Sequence, residues 1–325
     1  MTSAALPTLA ELERASAIVH AVLPPTPQQR WPLLERRIGA EVWVKHENHT
    51  PVGAFKVRGG LVFFHELAAS GVTVAGVVTA TRGNHGQSIG LAAQRAGIPV
   101  VVVVPHGNSL EKNAAMRALG VELIEAGDDF QAAVEVADAL ARERDWYRIP
   151  SFHRWLVQGV GTYALEFFRG VPTLDAVYVP IGLGSGICGV IAARDALGLS
   201  TEVVGVVSAH APAYARSLAA GRAESHPVST ALADGMACRT PVPEALAAMT
   251  GRVARVVEVT DAQVADAMRA YFSDTHNVAE GAAAAPLAAL MAERDRMQGK
   301  RVGLVHTGGN VDADLFARVL GGASA

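Results

Sequence analysis

Two cysteines in 325 residues, Cys188 and Cys238, are too few for a disulfide framework. That scarcity excludes the small stapled secreted scaffolds and suits a reducing cytosol. Charge is sparse as well: 18% of residues are charged, the formal net charge is −3, and no stretch gathers Lys and Arg into a stripe. This balance speaks against a polyanion such as nucleic acid as a partner. Uncharged apolar runs such as Ile98–Pro105 are strand-sized, short of the roughly 18 residues that a membrane span needs. Met1–His20 contains Glu11 and Glu13 and lacks a basic start with an apolar core, so it is not read as a secretory signal. There is no repeat of fixed period, no low-complexity linker and no GxxxxGK[ST] phosphate loop. His46, His49, His106 and His276 show no metal-ligand spacing, and no metal site is expected. The expectation is a soluble cytoplasmic protein without a membrane or nucleic-acid partner.

Half the residues are hydrophobic, and they come in short valine-rich runs separated by longer Ala-rich, helix-periodic stretches. Strands are expected at Val74–Ala80, Pro99–Val104, Val121–Ile124, Ala176–Pro180, Val203–Ser208 and Arg301–His306. Helices are expected at His85–Ala96, Ser109–Leu119, Asp128–Arg144, Gly189–Leu197, Asp261–Thr275 and Gly281–Arg296. Near-continuous apolar strands alternating with helices indicate parallel sheets covered on both faces. The fold class is therefore α/β with two lobes of mainly parallel sheet. The polar and aromatic break at Tyr147–Trp155 divides a small unit, 71–149, from a larger one formed by 1–70 and 150–325. Ligand sites in such sheets lie beyond the carboxyl ends of the strands.

Five segments stand out, four of them at such ends or beside them. Lys56 lies between Phe55 and Val57, just after Gly53. It reads either as a helix lysine whose head snorkels to water or as a desolvated amine able to form a Schiff base. Thr81-Arg82-Gly83-Asn84-His85 follows a strand and opens a helix, so its free amides suit a carboxylate; an Asn-capped turn is the plain alternative. Gly182-Leu183-Gly184-Ser185-Gly186 follows the next strand and can cradle a phosphate. Gly184–Gly189 also fits GxGxxG, but the strand after it ends in Ser208-Ala209 without the acid a dinucleotide ribose needs, and Glu202 precedes that strand. Thr307-Gly308-Gly309-Asn310 ends the last strand and places a hydroxyl at its tip. Ala233-Asp234-Gly235 reads as a turn.

In their order along the chain these motifs resemble the serine/threonine dehydratase and serine racemase group of fold-type II pyridoxal-phosphate enzymes, of tryptophan synthase β-like fold. The resemblance runs nearly end to end, from Thr26-Pro27 to Thr307–Asn310. It implies that Lys56 carries the cofactor as a Schiff base and later handles the Cα proton. Phe55 would lie against the cofactor ring, Asn84 would bond its phenolic oxygen, and Thr307 would face its nitrogen. Gly182, Leu183, Gly184, Ser185 and Gly186 would hold the phosphate, with Glu280 nearby. Thr81, Arg82, Gly83, Asn84 and His85 would take the carboxylate of a small amino-acid substrate. The implied activity is β-elimination of a 3-hydroxy amino acid to a 2-keto acid and ammonia, in a homodimer. Serine, threonine, 3-phenylserine and 3-hydroxyaspartate are candidate substrates. A racemase of the same group is the nearest alternative, and a nicotinamide oxidoreductase a more distant one.

Three departures from the group's pattern bear on this. Its usual Ser-Ser-Gly-Asn-His is Thr81-Arg82-Gly83-Asn84-His85 here; a racemase needs the second serine as an acid/base, and an arginine is charged at all accessible pH. Arg82 is read instead as an anion-binding fork or as a surface arginine. Ser208–Tyr214 offers no carboxylate where some members bind a divalent cation. Phe152, His153 and Trp155 replace the usual His-Pro-Phe and acids, and either widen the pocket or pack the lobe junction. Lys45, Glu47 and Asn48 are expected to orient the lysine segment, and Cys188 to be an inert buried thiol.

Overall fold

A computed structural model describes residues 6–171 and 173–322. Residues 1–5 and 323–325, the ends of the expected larger unit, and Pro172 lie outside it. Strands β1 (Gln28–Arg30), β2 (Glu41–His46), β7 (Ala176–Pro180), β8 (Glu202–Ser208), β9 (Arg255–Val259) and β10 (Arg301–His306) form a six-stranded sheet in the order β1-β2-β10-β7-β8-β9. Strands β3 (Val77–Ala80), β4 (Val100–Val104), β5 (Glu122–Glu125) and β6 (Tyr147–Arg148) form a second sheet in the order β5-β4-β3-β6. Among these strand pairs only β1–β2 is antiparallel.

The smaller sheet shows why its strands read as unbroken apolar runs. All five residues of β4 are buried valines, whose β-branched side chains suit a pleated strand covered on both sides. Val78, Ala80, Val101 and Val103 face Ala133, Ala137 and Ala141 of the helix Phe130–Arg144. On the other face Val77, Val100 and Val102 meet Ile89, Ala92 and Ala93 of the helix Asn84–Ala96. That same core takes Val57, Val62 and Phe63 of the helix Lys56–Ala69, with Ala15 and Val19 of the helix Leu9–His20. Two helices from the start of the chain thus pack against the smaller sheet.

The helix expected to begin at Gly189 begins at Ser185. Gly186 reads as a loop residue in sequence yet lies inside the helix, and Gly189 serves close packing there. A methyl group on Gly189 would stand 2.9 Å from the Gly161 amide nitrogen of the helix Arg154–Gly170. One on Gly159 of that helix would stand 2.2 Å from the Arg58 carbonyl oxygen. Bare backbone is what lets these three helices approach one another, and the tertiary gain outweighs glycine's low helix propensity. Similarly, the helix expected over Gly281–Arg296 ends at Ala292, and a 3₁₀ turn covers Arg294–Met297. No described helix is long and apolar enough to cross a membrane.

Candidate active site

Lys56 is the first residue of its helix, and Ser88 Oγ donates to its carbonyl oxygen at 2.5 Å. Its amine lines a cleft beyond the carboxyl ends of β3 and β7, 4.8 Å from the centroid of the Phe55 ring. Among the described residues it has no hydrogen-bond or ion-pair partner. Desolvation depresses the amine to about 8, and the nearby Glu280 carboxylate only partly opposes that shift. Phe55 itself is buried edge-on against Tyr163, with ring centroids 5.9 Å apart.

The distant motifs are stitched together around this lysine. The Phe55 amide donates to Thr307 O at 3.0 Å and the Gly309 amide to Gly53 O at 2.9 Å. Thr307 is buried, so the tip of β10 is held directly against the lysine segment. Asn310 Nδ2 donates to Val52 O and to Asn84 Oδ1, both at 2.8 Å. Asn84 Nδ2 in turn donates to Glu280 Oε1 at 2.7 Å, and the Glu280 amide to Gly308 O at 3.1 Å. One Asn84 amide proton is thereby spent on Glu280 and the other is left for the cleft. Glu280 is buried, and desolvation raises it to about 7 despite the pull of Lys112. Its Oε2 makes no hydrogen bond and stands 3.7 Å from Lys112 Nζ.

At the end of β3, Thr81 Oγ1 accepts from the Gly83 amide at 2.9 Å. No side chain caps the helix that starts at Asn84, so its first amides are free to meet an anion in the cleft. His85 does not present a titrating ring there. Its Nε2 is 3.1 Å from Thr79 Oγ1, and burial, then the Lys56 charge, hold it down to about 3. Arg82 lines the cleft with its Nε buried and without a partner.

At the end of β7, Gly184 has φ +101°, a conformation that disfavours every residue with a side chain. A methyl on Gly182 would meet Gly235 O at 2.3 Å, and one on Gly186 would stand 3.5 Å from the Phe55 ring. The Leu183 carbonyl accepts from Tyr214 Oη at 2.9 Å, which also takes the Val242 amide at 3.0 Å. The helix beginning at the buried Ser185 has no side-chain cap either. The loop is therefore a cradle of bare backbone ahead of a helix start, the arrangement that binds phosphate. Glu202 lies at the far, amino end of β8, paired with Arg255 at 2.7 Å, which removes the last carboxylate that a dinucleotide ribose could have used.

Sequence reasoning missed Lys112. It sits on the helix Leu110–Ala118 of the smaller lobe and reaches across the cleft to Asp234 Oδ2 at 2.6 Å. Nothing in its amphipathic helix distinguishes it; only the crossing does. The same helix end sends Ser109 Oγ to Asp312 and takes the Ala313 amide on Glu111 Oε1 at 2.8 Å. Trp155 and His153 form an edge-to-face group with Phe63 and pack the lobe junction. Phe152 instead lines a cavity of about 690 Å³ that adjoins the cleft, shared through Phe130, Ser151 and Leu183. Cys188 is buried, which pushes its thiol up to about 12.

Comparison with known proteins agrees with this geometry. Residues 20–308 match the family model described as pyridoxal-phosphate dependent enzyme. The chain is 32% identical over 314 residues to the L-threonine ammonia-lyase of Thermotoga maritima, covering 96% of this chain and 78% of that protein. It is 27% identical to the L-threo-3-hydroxyaspartate ammonia-lyase of Saccharomyces cerevisiae, over 98% and 97% of the two chains. The crystal structure of a threonine deaminase from T.th. superposes with a TM-score of 0.87 at 30% identity, over 94% of this chain and 99% of that one. With its unpaired amine, bare-backbone glycine loop and family match over most of its length, the chain belongs to the pyridoxal-phosphate-dependent enzymes, among relatives that are ammonia-lyases of hydroxy amino acids.

Proposed function

We propose that Lys56 bonds pyridoxal phosphate and performs the proton transfers of 3-hydroxy amino acid dehydration, giving a 2-keto acid and ammonia. The observation that carries this reading is the lone amine of Lys56, depressed to about 8 and ringed by three separate motifs. The residues present fit the cofactor: Gly182–Gly186 would hold its phosphate, Phe55 would flank its ring, and Thr307 would meet the ring nitrogen. When bound, pyridoxal phosphate supplies an aldehyde for amine exchange and an electron sink for the bond at Cα.

The chain's own groups then have distinct tasks. The free helix start at Asn84 binds the α-carboxylate, and the second amide proton of Asn84 orients the cofactor's phenolic oxygen. Lys56 would hold the cofactor and, as a free amine, take the Cα proton; a value near 8 keeps a useful fraction of it unprotonated at neutral pH. Thr307 offers a hydroxyl and no carboxylate to the ring nitrogen. That leaves the electron sink weaker and favours prompt loss of a β-leaving group. Arg82 stands where a racemase of this group needs its second acid/base, and a guanidinium offers donors and no acceptor. Elimination is therefore favoured over isomer interconversion.

The test is direct. The purified protein should be yellow, and borohydride should fix the colour on Lys56, located by peptide mapping. A panel of 3-hydroxy amino acids of both configurations should give keto acid without racemisation. A protein that stays colourless with added pyridoxal phosphate would defeat the reading.

A further inference from the structure

We propose that Arg82 determines specificity by binding the side-chain carboxylate of an acidic 3-hydroxy amino acid, of the 3-hydroxyaspartate class. The inference rests on the dehydratase reading above and names the substrate for it.

The charges that line the cleft carry the argument. Lys56, Arg82 and Lys112 are its cations, and Asp234 is the acidic side chain facing them. Asp234 is already taken by Lys112 at 2.6 Å. Glu280, deeper in, accepts from Asn84 and has Lys112 as its nearest cation. His85 is neutral and turned to Thr79. The guanidinium of Arg82 has no hydrogen bond or ion pair among the described residues, and its Nε is wholly shielded from solvent. A half-buried guanidinium whose shielded Nε has nothing to bond carries a cost, and a ligand anion removes that cost.

Two anions of the reacting pair already have places. The phosphate has the bare loop Gly182–Gly186, and the α-carboxylate has the uncapped helix start at Asn84. Arg82 is a third anion site, at the mouth of the helix that holds the α-carboxylate. A planar fork meets a carboxylate with two parallel hydrogen bonds. Threonine and serine carry nothing to fill it, 3-phenylserine would set a ring edge against it with no acceptor, and a diamino acid would be repelled. An acidic group on the β-carbon satisfies it.

The experiment compares L-threo-3-hydroxyaspartate with L-threonine in the intact holoenzyme, wild type, Arg82→Met and Arg82→Lys. The expected wild-type kcat/KM is higher for the diacid by roughly 10- to 100-fold, the worth of a charge-assisted pair. That ratio should collapse in Arg82→Met and recover in part in Arg82→Lys, which keeps the charge and loses the fork. Calorimetry gives a readout free of turnover: the wild type should bind aspartate at least about tenfold more tightly than 2-aminobutyrate, and Arg82→Met should bind them alike. Equal use of the two substrates by the wild type, or a ratio unmoved by Arg82→Met, overturns the proposal. If Arg82→Met does not fold, the wild-type affinities and Arg82→Lys still decide. A wild type that prefers aspartate yet makes no keto acid from any substrate would keep the role of Arg82 and defeat the dehydratase reading instead.

Discussion

Lys45 and Lys56 are two buried lysines, eleven positions apart, with opposite surroundings. Lys45 is fully buried; its ammonium donates to Glu166 at 2.5 Å and to Thr26 O at 2.9 Å. It belongs to an ionic cluster beneath the site. There Arg58 pairs with Glu47 at 2.7 Å and with Glu166 at 2.6 Å, while Thr26 Oγ1 donates to Glu47 at 2.5 Å. Burial lowers the Lys45 amine too, but Glu47 and Glu166 resist that shift on either side. Lys56 faces only one opposing carboxylate, Glu280, which is itself raised to about 7. The same residue type is thus a structural cation where its charge is matched and a candidate nucleophile where it is not. The matched cluster also supports the unmatched lysine: it anchors the first turn of the helix that Lys56 begins. Of the residues expected to orient the lysine segment, Lys45 and Glu47 sit inside it, whereas Asn48 donates to Asn277 Oδ1 at 3.2 Å.

The contrast is open to attack from both sides. Replacing Lys56 with Ala removes a lone buried amine, so keto-acid formation should fall by roughly four orders of magnitude or more, in the range of nucleophile knockouts. The Tm of that variant should hold steady or rise, because no partner is stranded. Steady-state assays and calorimetric melting on one preparation check both halves. Arg58→Met does the reverse. It strands the buried Glu47 without its cation and leaves Glu166 to Lys45 and His20, and urea unfolding should report a loss of about 3–5 kcal/mol. An Arg58→Met protein as stable as the wild type would show that the cluster is not what fixes the helix. Gly159→Ala should cost about 1–3 kcal/mol by pushing a methyl against the Arg58 carbonyl, again read by urea unfolding.

The smallest effect is one of pH. A Lys56 amine at about 8, lowered from the usual 10.5, is protonated below that pH and free above it. Cofactor-free protein should therefore take up pyridoxal phosphate about tenfold more slowly at pH 7 than at pH 9, with a plateau above. An exposed lysine would instead keep gaining rate towards pH 10, and stopped-flow absorbance distinguishes the two profiles. A profile still rising steeply at pH 9 would mean that Lys56 is solvated like any surface amine.

Much of this was legible in the chain itself. The valine runs announced β3, β4, β7, β8 and β10, because strands buried on both faces need unbroken β-branched side chains. The order of lysine, Gly-Asn-His, glycine loop and Thr-Gly-Gly-Asn pointed to one cleft, because the last three motifs follow strand ends and the lysine segment is held against the last of them. Glycine was where the reading slipped. Gly186 looks like loop yet lies in the helix that begins at Ser185, and only the nearness of Gly161 shows what Gly189 does there. Lys112 was invisible for a related reason: a lysine on an amphipathic helix carries no mark of the aspartate waiting across a cleft. The aromatic run at Phe152–Trp155 left two readings open in sequence and divided between them in space, one ring to the neighbouring cavity and the others to the junction.

Local chemistry, then, was legible in sequence: which valine runs are strands, and which turns free their amides. What only the tertiary structure decided is which charges are matched. Glu47 and Glu166 went to Arg58 and Lys45, Asp234 to Lys112, and nothing to Lys56 or Arg82. Pairing depends on distances between residues far apart in the chain, and in a desolvated cleft those distances separate an inert cation from a reactive or anion-seeking one.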